Sequence, residues 1–347
     1  MSYYTQLLLT FLAFNTAISA NIFDRFELWA TQFKIKFHNN AHMIQMYEIW
    51  AENDKHIEII NFRNLTYSLG HNQFSGMTNI EFREYLGYSK LLDDRVSTNL
   101  RSVQLFSEVA NKNVEEYVSS IPKSIDWVEL GAVTPVKDQG QCGSCWSFST
   151  TGALEGAYYL ANGNLISFSE QQLVDCDNWK NGGHDHGCNG GLMDNAFNWI
   201  SENDGLCTET GYPYVSGTTK SAGSCVTTCS KITGSDIVSF VDVEPSSDEA
   251  MMSAIAKQPV SVAIEADQKD FQLYKSGVFT ASCGTNLDHG VLVVGYGTMD
   301  GEDYYKVKNS WASSWGADGY IYLARGSAYN NGAGQCGVLL EASYPIL

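Results

Sequence analysis

Leu7 to Phe14 reads LLLTFLAF, a short apolar run, and small residues follow it to Ile18-Ser19-Ala20. The run is too short to cross a bilayer, so it predicts a secretory signal peptide over residues 1–20. Beyond it, Phe23, Phe26, Leu28 and Trp29 open a helical pattern. Tyr47, Trp50, Ile57 and Ile60 continue it at steps of three and four, with no Pro or Gly between Met43 and Ile60. Residues 21–85 therefore read as helical. Residues 86–120 lose that period and scatter charges among Ser and Asn, which predicts an extended connector. From Ile121 the texture changes again. Cys145 to Ala161 reads as one helix, and then the period becomes two. Val260–Ile264, Val291–Tyr296, Tyr304–Lys308 and Tyr320–Leu323 read as strands divided by Gly and Asp. Helices early and antiparallel strands late predict an α+β fold in two lobes. No later run reaches about 18 uninterrupted apolar residues, so no membrane association is expected once the signal is removed.

Charge sharpens the division. The 347 residues carry a net charge of −18, and residues 121–347 hold 11 basic against 26 acidic side chains, leaving the first 120 nearly neutral. An acidic second part argues against a nucleic-acid partner, whose phosphates call for Lys and Arg. Asn64-Leu65-Thr66 is an N-glycosylation sequon, which in a secreted chain implies an exposed position and makes Asn64 a glycosylation candidate.

All nine cysteines lie from Cys142 onward. Secretory entry permits disulfides, but an odd count leaves one thiol over. Three readings compete for Gln139-Gly-Gln-Cys142-Gly-Ser-Cys145-Trp146. A Cys-x-x-Cys redox pair would sit in a βαβ context, which the pattern lacks. A zinc site would need a second ligand pair, for which His184, His186 and Cys188 are the nearest candidates. The third reading is a nucleophile. Cys145 begins the predicted helix, where free N–H groups and the macrodipole favour a thiolate. A thiolate nucleophile needs a base and a group that orients the base. His289 stands at the front of a strand-like run, and Asn309, beside Trp311, follows at another strand end.

Taken together these motifs resemble the papain family of cysteine peptidases, of the cathepsin L type. The resemblance runs through Val133–Gln139, Cys142-Gly-Ser-Cys-Trp146, Ser169–Cys176, Gly187-Cys-Asn-Gly-Gly191, Asp288-His289-Gly290, Lys308-Asn309-Ser-Trp311 and Trp315-Gly316, and covers essentially all of 121–347. It implies a papain-like two-lobed α+β fold: a helical left lobe and an antiparallel, β-barrel-like right lobe, behind an α-helical inhibitory prodomain. It implies that Cys145 attacks the scissile carbonyl, that His289 is its proton partner, that Asn309 orients His289 and that Gln139 donates to the oxyanion. No metal and no cofactor is called for. Three bridges are implied by the same resemblance, Cys142–Cys188, Cys176–Cys225 and Cys283–Cys336. Cys207 and Cys229 remain and are paired as a fourth, although Cys207–Cys225 with Cys176–Cys229 satisfies the same count.

For substrate, the resemblance implies that Gly190 and Gly191 form a backbone rail. Leu192, Met193, Ala263, Leu287, Gly290 and Glu341 would line the pocket for the residue before the scissile dipeptide bond's P1, that is P2, with Asp288 and Trp311 beside the cleft. The pocket suits apolar side chains, and Glu341 at its floor would admit Arg. With no long insertion to close one end of the cleft, an endopeptidase is expected, acting as a monomer on proteins and peptides. The rival from another class is an inactive papain-like binding protein, against which the complete Gln139, Cys145, His289 and Asn309 set argues.

The earlier part resembles the family's inhibitory prosegment. Trp50, Asn53, Ile57 and Asn61 match its helix motif, and Gly70-x-Asn72-x-Phe74 a second one. The ionisable positions at 42, 46 and 76 are here His42, Met46 and Gly76, which puts the internal ion pairs in doubt and predicts a blunter pH trigger. The expected organisation is a signal peptide (1–20), a helical inhibitor segment (21–85), an extended connector (86–120) and a peptidase domain (121–347). The propeptide is expected to inhibit its own enzyme. The destination is the secretory pathway, ending in a lysosome or vacuole or outside the cell.

Overall fold

The computed structural model describes residues 21–85 and 121–347, so the expected signal peptide and connector lie outside the described residues. The first part folds as α1 (Ile22–Gln32) and the long α2 (Asn40–Phe62). Asn21 and Asn39 cap their starts, accepting from the N–H groups of Phe23 and His42. Phe26, Trp29, Ala30 and Trp50 make a small core of their own between the two helices. The whole segment is not helical, however. After Phe62 the chain turns and forms a short strand, β1 (Tyr67–Leu69), before α3 (Asn79–Tyr85). Three residues are too few for a period-two signal to show in sequence.

The second part opens with β2 (Ile125–Asp126) and then α4 (Cys145–Asn162), which begins at the cysteine that starts the predicted helix and ends on Gly163 at φ 69°. Two more helices, α5 (Glu170–Cys176) and α6 (Met193–Glu202), pack beside it, followed by the single turn α7 (Ser216–Thr219). The remainder is β3 (Ser239–Asp242), α8 (Asp248–Ile255), β4 (Val260–Ile264), α9 (Lys269–Gln272), β5 (Tyr274–Phe279), β6 (His289–Met299), β7 (Glu302–Lys308), β8 (Tyr320–Ala324) and β9 (Ala342–Ile346). All four predicted strand runs are strands. Helices and sheet meet along α4. Gly152 lies against Leu292 of β6, where an added Cβ would stand 2.8 Å from its Cδ2, and Ser149 Oγ donates to Val291 O at 2.7 Å.

The sheet departs from a closed antiparallel barrel in two ways. Its strands run in the order β1-β5-β8-β7-β6-β4-β9-β3, with β2 on the side of β6, and the path does not close. One pairing, β5 with β8, is parallel. The path begins in the first part of the chain: β1 pairs antiparallel with β5, Tyr67 opposite Gly277 and Ser68 opposite Ser276. The prosegment thus occupies what would otherwise be an edge, satisfying its ladder groups. Among the described residues no helix is long and apolar enough to cross a membrane.

Candidate active site

Four side chains expected to act together are buried at the junction of α4 and the sheet: Gln139, Cys145, His289 and Asn309. Cys145 is the first residue of α4 and His289 the first of β6. Asn309 follows directly on β7, whose Lys308 pairs with Leu292 of β6. The N–H of Gly290, next to His289, donates to Cys145 Sγ at 3.3 Å.

Asn309 fixes the imidazole. Its Oδ1 accepts the Ser310 N–H at 2.8 Å, so that atom is the amide oxygen, and His289 Nε2, also at 2.8 Å, must donate to it. The Nε2–H tautomer leaves Nδ1 with its lone pair, and Nδ1 has no hydrogen-bond partner. Trp311 stacks on the ring with centroids 4.6 Å apart and planes at 21°.

Gln139 is fixed as firmly. Ser310 Oγ donates to its Oε1 at 2.6 Å, which turns the NH₂ toward the start of α4, where one N–H reaches Cys142 O at 3.0 Å. Its own N–H donates to Ser310 O. Ser310 therefore serves Gln139 and Asn309 at once, a role that no sequence signal marks because its hydroxyl acts only after the two lobes have met. Gly140, next in the chain, has φ 56°, and a Cβ there would strike the Gly217 backbone at 2.7 Å, so only glycine suits the turn.

In this form both titrating groups are neutral. Burial pushes the Cys145 thiol up to about 11, with the Gly290 and Trp146 N–H groups opposing it. Burial also pulls His289 down to about 4 against the Asn309 hydrogen bond. The covering comes in part from the prosegment. Gln73 Nε2 donates to Trp311 O at 2.6 Å, and the rings of Phe74 and Phe82 meet the Trp311 indole edge-on at 5.5 Å.

Part of the set expected to bind substrate comes together around Gly290. Ala263 of β4 pairs with Gly290 of β6, and its N–H donates to Glu341 O at 3.0 Å. A Cβ on Gly290 would lie 3.2 Å from Met193 Sδ. Leu287 is buried, while Leu192 and Glu341 are half-buried. Gly191 lies flat on Trp146, where a Cβ would stand 2.6 Å from the indole. Asp288 turns away from the others: its carboxyl accepts the Ala266 N–H at 2.8 Å.

Four disulfides form: Cys142–Cys188, Cys176–Cys225, Cys207–Cys229 and Cys283–Cys336. Cys145 is the free cysteine. Cys142 is thus bound to Cys188, which removes both the redox pair with Cys145 and the cysteine ligand of the zinc reading. Asn64 is exposed in the turn between α2 and β1.

The prosegment replaces its expected ion pairs rather than losing ionic contacts altogether. Met46 and Trp29 fill the space where a side chain at position 76 would stand, 2.7 and 2.8 Å from a Cβ on Gly76. Instead Asp54, nearly buried, pairs with Arg25 and with His71 Nε2, and His71 stacks on Trp50 at 4.2 Å. Asn53 and Asn61 bond the backbone of the chain that returns past α2: Asn53 donates to Ser75 O and Met77 O, and Asn61 pairs with both the N–H and C=O of Leu69. The ionisable groups expected at 42, 46 and 76 are thus not restored, but Asp54, Arg25 and His71 supply ionic contacts elsewhere in the prosegment.

Residues 121–346 match the family model for papain family cysteine protease, and residues 26–82 that for the cathepsin propeptide inhibitor domain. The chain is 42% identical over 336 residues to cysteine proteinase RD21A of Arabidopsis thaliana, covering 94% of this chain and 67% of that protein. Against probable cysteine protease RD21B, also of Arabidopsis thaliana, it spans 66% of the relative's length, about two-thirds in both cases. Vignain of Ricinus communis is 44% identical, over 86% of this chain and 79% of its own. Among solved structures, a recombinant stem bromelain precursor superposes with a TM-score of 0.80 at 36% identity, covering 94% of this chain and 99% of that one. Digestive procathepsin L2 from Tenebrio molitor larval midgut gives 0.81 at 33% identity, covering 94% and 100%.

Proposed function

Because the chain belongs to the papain family of cysteine proteases, with a cathepsin-type propeptide inhibitor domain ahead of its protease domain, we propose that it is an autoinhibited endopeptidase whose nucleophile is Cys145. The observation that carries this reading is the Cys145, His289 and Asn309 arrangement, in which Asn309 leaves His289 Nδ1 as the free nitrogen on a ring next to the thiol-binding Gly290 N–H.

The domain reading is a signal peptide over 1–20, an inhibitor segment and connector to residue 120, and a protease domain from 121. Release of the prosegment hydrates the cleft, which removes the desolvation that keeps thiol and imidazole neutral. The proton then passes from Cys145 Sγ to His289, and the helix start favours the thiolate. Sulfur attacks the scissile carbonyl carbon. The oxyanion takes hydrogen bonds from the Gln139 NH₂ and the Cys145 N–H. The C–N bond breaks as His289 hands its proton to the leaving amine. Water, losing a proton to His289, then cleaves the thioester, releasing the acid and restoring the thiol.

Gly190 and Gly191 present backbone groups to an extended substrate. The pocket around Leu192, Met193, Ala263, Leu287 and Gly290 takes an apolar P2 side chain, and Glu341 extends it to Arg. Travel is through the secretory pathway to a lysosome or vacuole or the exterior, with Asn64 glycosylated.

Two substitutions test the reading. The processed Cys145→Ala variant is expected to lose peptide hydrolysis entirely, and activity surviving in it refutes the assignment. For specificity, Glu341→Ala is expected to lose hydrolysis of Arg-Arg substrates while keeping that of Phe-Arg substrates. An unchanged ratio removes Glu341 from the pocket.

A further inference from the structure

The loop from Asp177 to Leu192 carries two buried carboxyl groups that the reaction does not use. Asp177 is fully buried and Asp185 is 1% exposed, and their carboxyls are neighbours that act on one another. Each has one oxygen already committed. Asp177 Oδ1 accepts the His184 N–H at 3.1 Å, and Asp185 Oδ1 accepts the Leu192 N–H at 2.9 Å and the Asn195 NH₂ at 3.0 Å. The second oxygen of each finds no donor. Two carboxyl groups in contact can hydrogen bond only if one of them carries a proton, since ionised oxygens only accept.

Their position ties them to substrate. Leu192 directly follows Gly190 and Gly191, and Asp185 Cγ lies under Gly191, 2.7 Å from where a Cβ would stand. The His186 N–H, next in the chain, donates to Gly190 O at 2.9 Å. The same loop is fastened to the start of α4 by Cys142–Cys188 and by the Gly143 N–H on Cys188 O.

We propose that Asp177 and Asp185 share one proton, and that this proton holds the Gly190–Gly191 rail in the shape that binds an extended peptide, so that losing it weakens substrate binding as pH rises. The part concerning the rail rests on the protease reading above; the shared proton does not. Without the proton two negative charges face each other in a buried place, where like charges repel strongly. The rail is the movable part, because Asp185 is its underside. The groups facing the pair are few. The His184 imidazole acts on Asp177, the Asn195 amide and Leu192 N–H act on Asp185, and the Trp146 ring closes the Gly191 side. On the outer side of the loop a surface cavity places Lys180, Asp175 and His186 around Asp185. Asp175 is held elsewhere, by Gln171, Tyr212 and the Gly223 N–H.

The sign follows from burial, which raises both carboxyls above the usual range. The folded chain keeps a proton that the unfolded chain releases near pH ~4. The stabilisation is therefore complete below that pH and is lost as pH rises toward the folded value. Asp185→Asn supplies a permanent N–H toward Asp177 while its oxygen can still accept from Leu192, so it mimics the protonated pair at every pH.

Two measurements test this. In the full chain carrying Cys145→Ala, which needs no activity, Asp185→Asn is expected to gain thermal stability relative to its parent between about pH 5 and pH 8. A difference that is equal at both pH values overturns the shared proton. In the processed enzyme, KM for peptides that span the rail is expected to rise at least ~5-fold from pH 5 to pH 8 in the wild type, the low end of ordinary coupling between sites. That rise should vanish in Asp185→Asn while kcat keeps its pH profile. Superimposed KM profiles overturn the link to the rail. Asp177→Asn, which keeps one charge and one donor, serves if Asp185→Asn does not fold, and a wild-type KM flat over this range overturns the link with no variant at all.

Discussion

Asn309 Oδ1 accepts from two donors, His289 Nε2 and the Ser310 N–H, and that double acceptance chooses the imidazole tautomer. The chemistry at this scale is a matter of which atom faces which. Gln139 is oriented by the Ser310 hydroxyl, so its amide nitrogen and not its oxygen points toward the start of α4. Gln139→Ala is expected to lower kcat by ~10²–10³, the usual cost of one oxyanion donor. Ser310→Ala should lower it less, by about 10-fold, because it removes one hydrogen bond that orients Gln139 rather than the donor itself. A stopped-flow comparison of acylation in the two variants checks the order, and a larger loss for Ser310→Ala contradicts it. Cys145, His289 and Asn309 stand out in sequence because a lone thiol, a rare histidine and a polar residue beside an indole are unusual at element ends. Ser310, Asp177 and Asp185 do not stand out. Serine and aspartate are ordinary loop residues, and their roles exist only once Gln139 has been brought against the Asn309 segment and the 177–192 loop has folded on itself.

Elements explain how the prosegment reaches the site. The long helix α2 was legible from its apolar steps of three and four, and so were the strands that keep period two. β1 was not, since its three residues gain their ladder from β5, some 200 positions away, and not from any local pattern. This strand, with Asn72 bonded to Gln272 O and His56 and Tyr67 converging on Asp270, fastens the inhibitor to the sheet. Within the inhibitor, the titrating element is His71 on Trp50. Burial lowers its pKa from 6.5, outweighing the Asp54 hydrogen bond. Its Nδ1 is buried without a partner, so the proton gained in acid has no acceptor. A histidine with a lowered folded pKa adds stability that is present above its unfolded value near 6.5 and is lost as pH falls through the folded one. The prosegment should therefore loosen in acid. His71→Phe keeps a ring on Trp50 and removes the proton, and is expected to flatten the rise in zymogen processing between about pH 6.5 and pH 4. Gel-resolved processing rates across that range check it, and a profile as steep as wild type contradicts it.

At the scale of the molecule, an acidic protease part is joined to a nearly neutral inhibitor, and the four bridges all lie in the first of these. The bridge beyond the three that the family resemblance implies, Cys207–Cys229, closes 22 residues of chain. Replacing both cysteines by serine is expected to cost about 3 kcal/mol by the loop-closure estimate, readable as a lower denaturant midpoint; an unchanged midpoint shows that the loop is held by its other contacts. Carboxylates in excess repel one another less in acid. The same acid loosens His71 and keeps the Asp177–Asp185 proton. The odd cysteine count and the division of charge were readable along the chain, whereas three of the bridges came from the family resemblance and the fourth had a rival pairing. The open sheet with its one parallel pair was not readable, because strand order depends on contacts that no local period records. The proposed function requires that the Cys145 thiol be silent in the zymogen and reactive after processing. The rate of alkylation at Cys145 by iodoacetamide, followed by mass spectrometry against pH before and after prosegment removal, measures this directly. The expected result is slow labelling of the intact chain, and rapid labelling of the processed enzyme that persists well below the pH at which an ordinary thiol ionises, near ~8.5. Equal rates in the two forms, or a processed enzyme whose labelling rises only near that pH, contradict the account.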